Sequence, residues 1–208
     1  MVTGLLRAAR TGQGDVLDAA ICDGTTSLMA MIYSYRAMGR WQDQRGANKL
    51  DGGVPWYGVY ECADGQWITI GALEPQFWTC LLDLLGIDPA EMGDRDDPGQ
   101  YPQMRARLTA LFLSQPRAHW EDLLGGTDAC FAPVLSPAEA ADHPLNRARG
   151  SFAPEGPAQP MPAPRFAQAQ TPLPNPAPAP GADSRAILTD AGLDPGQIAA
   201  LFDSGAVS

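Results

Sequence analysis

Few residues in this chain combine a reactive side chain with a position that would aim it. Glu74 is the clearest. It follows Trp67-Ile68-Thr69-Ile70, a run rich in β-formers, and stands directly before Pro75. Pro75 suits the first position of a helix over Pro75–Leu85, with Gly86 as its stop. A carboxylate at a strand-to-helix junction is held by backbone on both sides, so it can serve as an aimed hydrogen-bond acceptor. The same position also suits a plain carboxylate that favours the positive end of the helix dipole. Asp18 and Asp23 flank another strand-helix junction and read as N-cap or first-turn carboxylates that satisfy free N–H groups. His119 and His143 are the only histidines. Neither has a partner at triad or metal-ligand spacing, and both read as structural or solvent-facing.

The elements that must position Glu74 lie just before it. Ala63-Asp64-Gly65 carries the Asp-Gly signal of a hairpin turn between Val59–Cys62 and Trp67–Ile70. Upstream, Arg45 to Gly58 is a Gly-rich loop in which Gly52-Gly53 would let backbone approach a ligand closely. Asn48 and Asp51 can hold that loop through side-chain to backbone bonds. Before it, the pattern predicts a helix over Met1–Arg10, a short strand at Asp15–Ala19 and a long helix from about Ala20 to Arg40. After it come helices over Tyr101–Ser114 and Arg117–Leu124, a buried strand over Asp128–Leu135, and a helix opened by Ser136-Pro137-Ala138-Glu139, which fits a capping box. Ser151–Pro180 is Pro- and Ala-rich and reads as an extended connector. Two short helices, Asp183–Ala191 and Pro195–Phe202, close the chain, the second capped by Asp194.

Composition narrows the function classes. At 208 residues and 45% hydrophobic, the chain is long enough for one or two domains. A net charge of −10 argues against nucleic acid and anionic membranes as partners. No run approaches the roughly 20 apolar residues of a membrane span. The sequence shows no local cluster of basic residues that would hold a phosphate. Cys22, Cys62, Cys80 and Cys130 are widely spaced, with no metal-binding pattern, and read as reduced, mostly buried thiols of a cytoplasmic protein.

Several motifs together carry a family resemblance. Leu50-Asp51-Gly52-Gly53-Val54-Pro55-Trp56-Tyr57, the Ala63-Asp64-Gly65 turn and Gly71-Ala72-Leu73-Glu74-Pro75-Gln76-Phe77 resemble the small domain of α-methylacyl-CoA racemases, within the family III CoA-transferase superfamily. Arg10-Thr11-Gly12-Gln13-Gly14, Gly126-Thr127-Asp128-Ala129-Cys130 with Pro133-Val134-Leu135, and Arg149-Gly150-Ser151-Phe152 extend the likeness along the chain. The resemblance implies a mixed α/β (α+β) fold. A small domain with a β-hairpin and helices would occupy 45–135. Residues 1–44 would be the end and linker helix of a larger Rossmann-like domain, and 136–208 its Pro-rich return and C-terminal helices.

The resemblance further implies an isomerase of fatty-acid metabolism that interconverts (R)- and (S)-2-methylacyl-CoA. It would use a CoA thioester as substrate, no cofactor and no metal, and would work as an interlocked homodimer. By the same likeness Glu74 is a supporting carboxylate for a catalytic His, and Tyr57, Leu50, Leu73, Gly52, Gly53, Asn48 and Asp51 line the substrate site. The family's His/Asp acid-base pair has no match in residues 1–208. The chain therefore reads as a C-terminal fragment that is inactive alone. Two rival readings remain: a family III CoA-transferase, acting through an Asp nucleophile outside this chain, and a non-catalytic binding module.

Overall fold

The computed structural model describes residues 2–207 apart from Glu155, Pro157, Gln170, Thr171, Pro174 and Pro176. The described residues form two compact units, 1–134 and 135–208.

The first unit begins with α1 (Val2–Thr11), α2 (Ile21–Leu28) and α3 (Ala30–Ala37), none of which buries a residue. Val2, Leu5 and Leu6 are all exposed on α1. The expected strand at 15–19 is absent: the segment is irregular and exposed, with no neighbouring strand to pair its backbone. The expected long helix is interrupted at Met29, which ends α2 and opens α3. Gly24-Thr25-Thr26-Ser27 supplies poor helix formers just before the break, and the Thr26 hydroxyl donates back to the Cys22 carbonyl at 2.9 Å.

The core of this unit is built on a three-stranded antiparallel sheet of order β1-β2-β3: β1 (Tyr57–Glu61), β2 (Trp67–Gly71) and β3 (Phe131–Val134). Gly65 takes φ +71° in the β1–β2 turn, as the Asp-Gly signal requires. In β1–β2, Tyr60 pairs with Ile68, and the alternation buries Tyr60, Ile68 and Ile70 while Val59 and Trp67 face solvent. β3 is shorter than the Asp128–Leu135 run and only half-buried, being an edge strand; Pro133, which has no N–H, is tolerated there.

Helices cover the inner face of the sheet. α4 (Pro75–Leu85) starts on Pro75, ends at Gly86 in the left-handed conformation, and buries Trp78, Leu81 and Leu82. α5 (Pro89–Met92) buries Met92. α6 (Tyr101–Phe112) buries Met104, Leu108 and Phe112 at helical spacing, and α7 (Arg117–Leu124) buries Trp120 and Leu124. Phe112 stacks edge-on against Trp120, centroids 5.2 Å apart, and the Trp120 indole N–H donates to the Phe112 carbonyl. Full burial of side chains of this size stabilises by about 1.5–3 kcal/mol each.

The second unit holds α8 (Pro137–Asp142), α9 (Pro144–Arg149), α10 (Ser184–Asp190) and α11 (Pro195–Asp203). The capping box forms: the Ser136 hydroxyl accepts from the Glu139 N–H, and Glu139 accepts from the Ser136 N–H. Asp194 caps α11 by accepting from Gly196 and Gln197. In the predicted extended connector, the described residues include a bridge between Phe152 and Pro160. Its residues Glu155, Pro157, Gln170, Thr171, Pro174 and Pro176 lie outside the described set.

Candidate active site

The loop that carries the Gly-Gly pair is held by one buried side chain. Asn48 caps a short 3-10 turn, Lys49–Asp51, and is the buried polar residue of the unit. Its Oδ1 accepts from the Gln42 N–H at 2.8 Å, and its Nδ2 donates to the Gln42 carbonyl at 3.0 Å and to Asp51 Oδ2 at 2.9 Å. Asp51 in turn accepts from the backbone N–H of Asn48 at 2.8 Å and of Gly46 at 3.1 Å. Burial pushes the Asp51 carboxyl up, but the hydrogen bonds from the Asn48 side chain and from the backbone outweigh it and hold the group below its ordinary value. Gly53 packs directly on this turn. A Cβ there would stand 2.6 Å from both the N and O of Asn48, so no other residue fits without moving main chain.

Glu74 is the N-cap residue of α4, with extended backbone at φ −79° and ψ 145°. Its carboxylate makes no capping hydrogen bond, and among the described residues it has no ion-pair or hydrogen-bond partner. It lines a cavity of about 720 Å³ together with Tyr35, Trp41, Leu50, Leu73 and Pro75. Arg40, Asn48 and Lys49 complete the wall. An exposed acceptor that the fold leaves unpaired, set on a mostly apolar wall, is available to a donor brought from outside.

The predicted site residues do not all share that cavity. Leu50, Leu73, Asn48 and Glu74 do. Tyr57, Asp51 and Gly52 line a neighbouring cavity, which Leu50 also reaches and which includes Arg105 and Cys130. Gly53 borders a third, along with Arg40, Asn48 and Lys49. Cys130 has φ +51°, an uncommon conformation for a residue with a side chain. Desolvation and the charges of Glu74 and Asp128 push its thiol up, which opposes thiolate chemistry. The expectation of mostly buried thiols fails for Cys22 and Cys130, both exposed. His143 caps α9, its Nδ1 accepting from the Leu145 N–H, and His119 packs edge-on against Trp120.

Sequence reasoning passed over the residues that hold or flank this site from a distance. Arg95 lies in the loop between α5 and α6, among aspartates. Its guanidinium stacks over Trp56, 4.2 Å from the ring centroid, and stands 5.1 Å from that of Trp78. It donates to the carbonyls of Ala72 at 3.1 Å and Leu73 at 3.0 Å, the two residues before Glu74. Its Nε is buried without a partner, and burial lowers its pKa. Arg105 on α6 donates to the Gly52 carbonyl at 2.6 Å. A lone arginine inside Asp94-Arg95-Asp96-Asp97 was the available signal for the first. The basic cluster not visible along the sequence exists in space, since Arg40, Lys49 and Arg105 line one cavity.

Among the described residues no helix is long and apolar enough to cross a membrane. The mouse α-methylacyl-CoA racemase is 38% identical over 164 residues, covering 79% of this chain and 43% of the mouse protein. The human α-methylacyl-CoA racemase is 36% identical over 166 residues, covering 79% of this chain and 44% of the human protein. The chain thus spans less than half the length of these relatives. A crystal structure of the hypothetical protein Rv3272 from Mycobacterium tuberculosis superposes with a TM-score of 0.62 at 21% identity, over 86% of this chain and 48% of that one, and so shares the fold. The family model for CoA-transferase family III matches residues 1–184. Mixed α/β architecture, motif order and family match agree, and the chain belongs to CoA-transferase family III.

Proposed function

We propose that this chain supplies the small-domain part of an α-methylacyl-CoA racemase, with Glu74 as a positioning carboxylate. The observation that carries the reading is the unpaired Glu74 carboxylate, set beside Leu50 and Leu73 on one cavity. The two racemase relatives, at 38% and 36% identity, support the choice of reaction. In the reaction a base removes the proton from the carbon next to the thioester, giving an enolate, and an acid returns a proton to either face. No electrons are exchanged with a cofactor. The His/Asp pair that moves the proton comes from outside residues 1–208, across a homodimer interface. Glu74 accepts the N–H of that imidazole, fixing its tautomer and raising its basicity. Leu50, Leu73 and Tyr57 contact the acyl group, and the backbone at Gly52-Gly53 approaches the thioester.

The test is α-proton exchange of a 2-methylacyl-CoA in heavy water. The pure chain exchanges no faster than buffer. Supplying the N-terminal half of the mouse relative as a separate chain restores exchange, and Glu74→Gln then lowers kcat by about 100-fold or more. Efficient exchange by the pure chain, or an unchanged rate with Glu74→Gln, refutes the reading. The family's description as CoA-transferases favours one second reading, acyl-CoA to carboxylate transfer. Label passing from a CoA donor to a free acid identifies it, since a racemase moves none.

A further inference from the structure

The cavity bordered by Gly53 has a charge composition at odds with the rest of the chain. The net charge is −10, yet this cavity of about 670 Å³ is lined by Arg40, Lys49 and Arg105 and, among its described lining residues, by no carboxylate. Several cations elsewhere are ion-paired: Arg7 with Asp15, Arg36 with Asp43, Arg107 with Glu91, Arg117 with Glu121 and Arg147 with Asp142. The side chains of Arg40 and Lys49 have no hydrogen-bond or ion-pair partner among the described residues. Arg105 commits one nitrogen to the neutral Gly52 carbonyl, which leaves its charge uncompensated. Arg40, Asn48 and Lys49 also line the Glu74 cavity, so the cations Arg40 and Lys49 are shared by both cavities, while Arg105 also lines the cavity of Tyr57 and Gly52. Like charges that line one cavity raise one another's electrostatic energy unless an anion joins them.

We propose that Arg40, Lys49 and Arg105 form an oxyanion-binding cleft, recognising a phosphate- or carboxylate-bearing part of a ligand whose remainder lies in the Glu74 cavity. The cleft stands on charge and geometry alone; only the identity of the natural ligand, an acyl-CoA, rests on the racemase reading. Two parts of such a molecule offer the chemistry: the phosphates of CoA, or a terminal carboxylate on the acyl chain. Arginine would bind either through paired N–H donors, and lysine as a point charge.

Lys49 is the chain's single lysine. Reductive methylation with carbon-13 formaldehyde keeps its charge and gives one lysine NMR signal to follow in the full chain. CoA shifts this signal saturably, and binding weakens when ionic strength rises from about 0.01 to 0.15 M, as the Debye length falls from about 30 to 8 Å. Arg40→Gln weakens CoA about 10-fold, whereas Arg149→Gln, in the other unit, leaves it unchanged. Isobutyryl pantetheine, which carries neither phosphate nor carboxylate, leaves the signal in place. If CoA moves it and glutaryl pantetheine does not, the source is phosphate; the reverse identifies an acyl carboxylate. A signal unmoved by every anion, moved equally by the neutral thioester, or insensitive to Arg40→Gln overturns the proposal. Trp41 emission, isolated by comparison with Trp41→Phe, separates the two readings. Quenching by isobutyryl pantetheine with Lys49 silent to all anions removes the cleft and keeps the acyl site. The opposite pattern keeps the cleft and removes the acyl site.

Discussion

Replacing Arg95 by Met keeps the aliphatic stem and removes the guanidinium that ties the α5–α6 loop to the residues before Glu74. Two charged hydrogen bonds are lost, to the Ala72 and Leu73 carbonyls at 3.1 and 3.0 Å. At about 1.5 kcal/mol each they amount to about 3 kcal/mol. The stack over Trp56, at 4.2 Å, contributes about 1 kcal/mol more. Against this, the guanidinium is partly desolvated and its buried Nε has no partner, so its removal returns about 1–2 kcal/mol. The expected net loss is about 2–3 kcal/mol, measured by urea unfolding followed by far-UV circular dichroism, because Trp56 and Trp78 emission responds to the substitution itself. Arg95→Lys keeps the charge but not the planar fork and recovers less than half of the loss. A change below about 0.5 kcal/mol for Arg95→Met would refute the reasoning, because the two carbonyls would then be equally well satisfied without the guanidinium.

Alkaline pH should destabilise the first unit through two buried groups. Burial pushes Cys62 from 9.0 to about 11 and Tyr60, whose hydroxyl donates to the Pro55 carbonyl, from 10.0 to about 12. The folded state keeps these protons when the unfolded chain releases them, so their contribution is intact below pH 9 and declines as pH rises towards 12. Urea melts across that range check this, and Cys62→Ala flattens the earlier part of the decline. Gly53→Ala forces a methyl to within 2.6 Å of Asn48 main chain. It should cost about 2–3 kcal/mol, whereas a neutral result in a thermal melt would mean that the loop is not packed on the Asn48 turn.

What was legible in the sequence is what short-range physics determines. The Ala63-Asp64-Gly65 turn, the Pro75 start and Gly86 stop of α4, and the Ser136 and Asp194 caps each depend on a few adjacent residues, and each is found. The strand at 15–19 fails because the pattern ignores whether a partner strand exists to receive it, and the single helix predicted over 20–40 breaks at Met29 after the poor helix formers Gly24-Thr25-Thr26-Ser27. The contacts of Arg95 and the gathering of Arg40, Lys49 and Arg105 were not legible, because they join residues far apart in the sequence. The two carbonyls that Arg95 bonds lie 22 and 23 positions away, and the cavity-mates Arg40 and Arg105 lie 65 apart. Glu74 stands between these cases: its position on the junction was legible, but the absence of a cap bond, which leaves it available, is a property of the folded geometry.

The Asn48–Asp51 clamp joins the two scales, and acid titration tests it. Asp51 accepts hydrogen bonds from Asn48 and Gly46, and these hold its carboxyl below the ordinary value of 3.8. A depressed folded value means that the stabilisation is complete above the unfolded value and is lost as pH falls through the folded one. The loop that carries Leu50, Gly52 and Gly53 should therefore stay closed at pH 5 and open locally below the Asp51 titration, before β2 and α4 are affected. Opening exposes the amide of Gly53, which donates to the Asn48 carbonyl at 2.9 Å, so its exchange protection reports the event. Asn48→Ala removes both the carboxylate's side-chain donor and the bonds to Gln42, and should leave Gly53 weakly protected already at neutral pH. If Gly53 protection follows that of Ile68 in the central strand at every pH, the loop opens only with the whole unit. Asn48 and Asp51 would then be ordinary parts of the core rather than a separate latch under the Glu74 cavity.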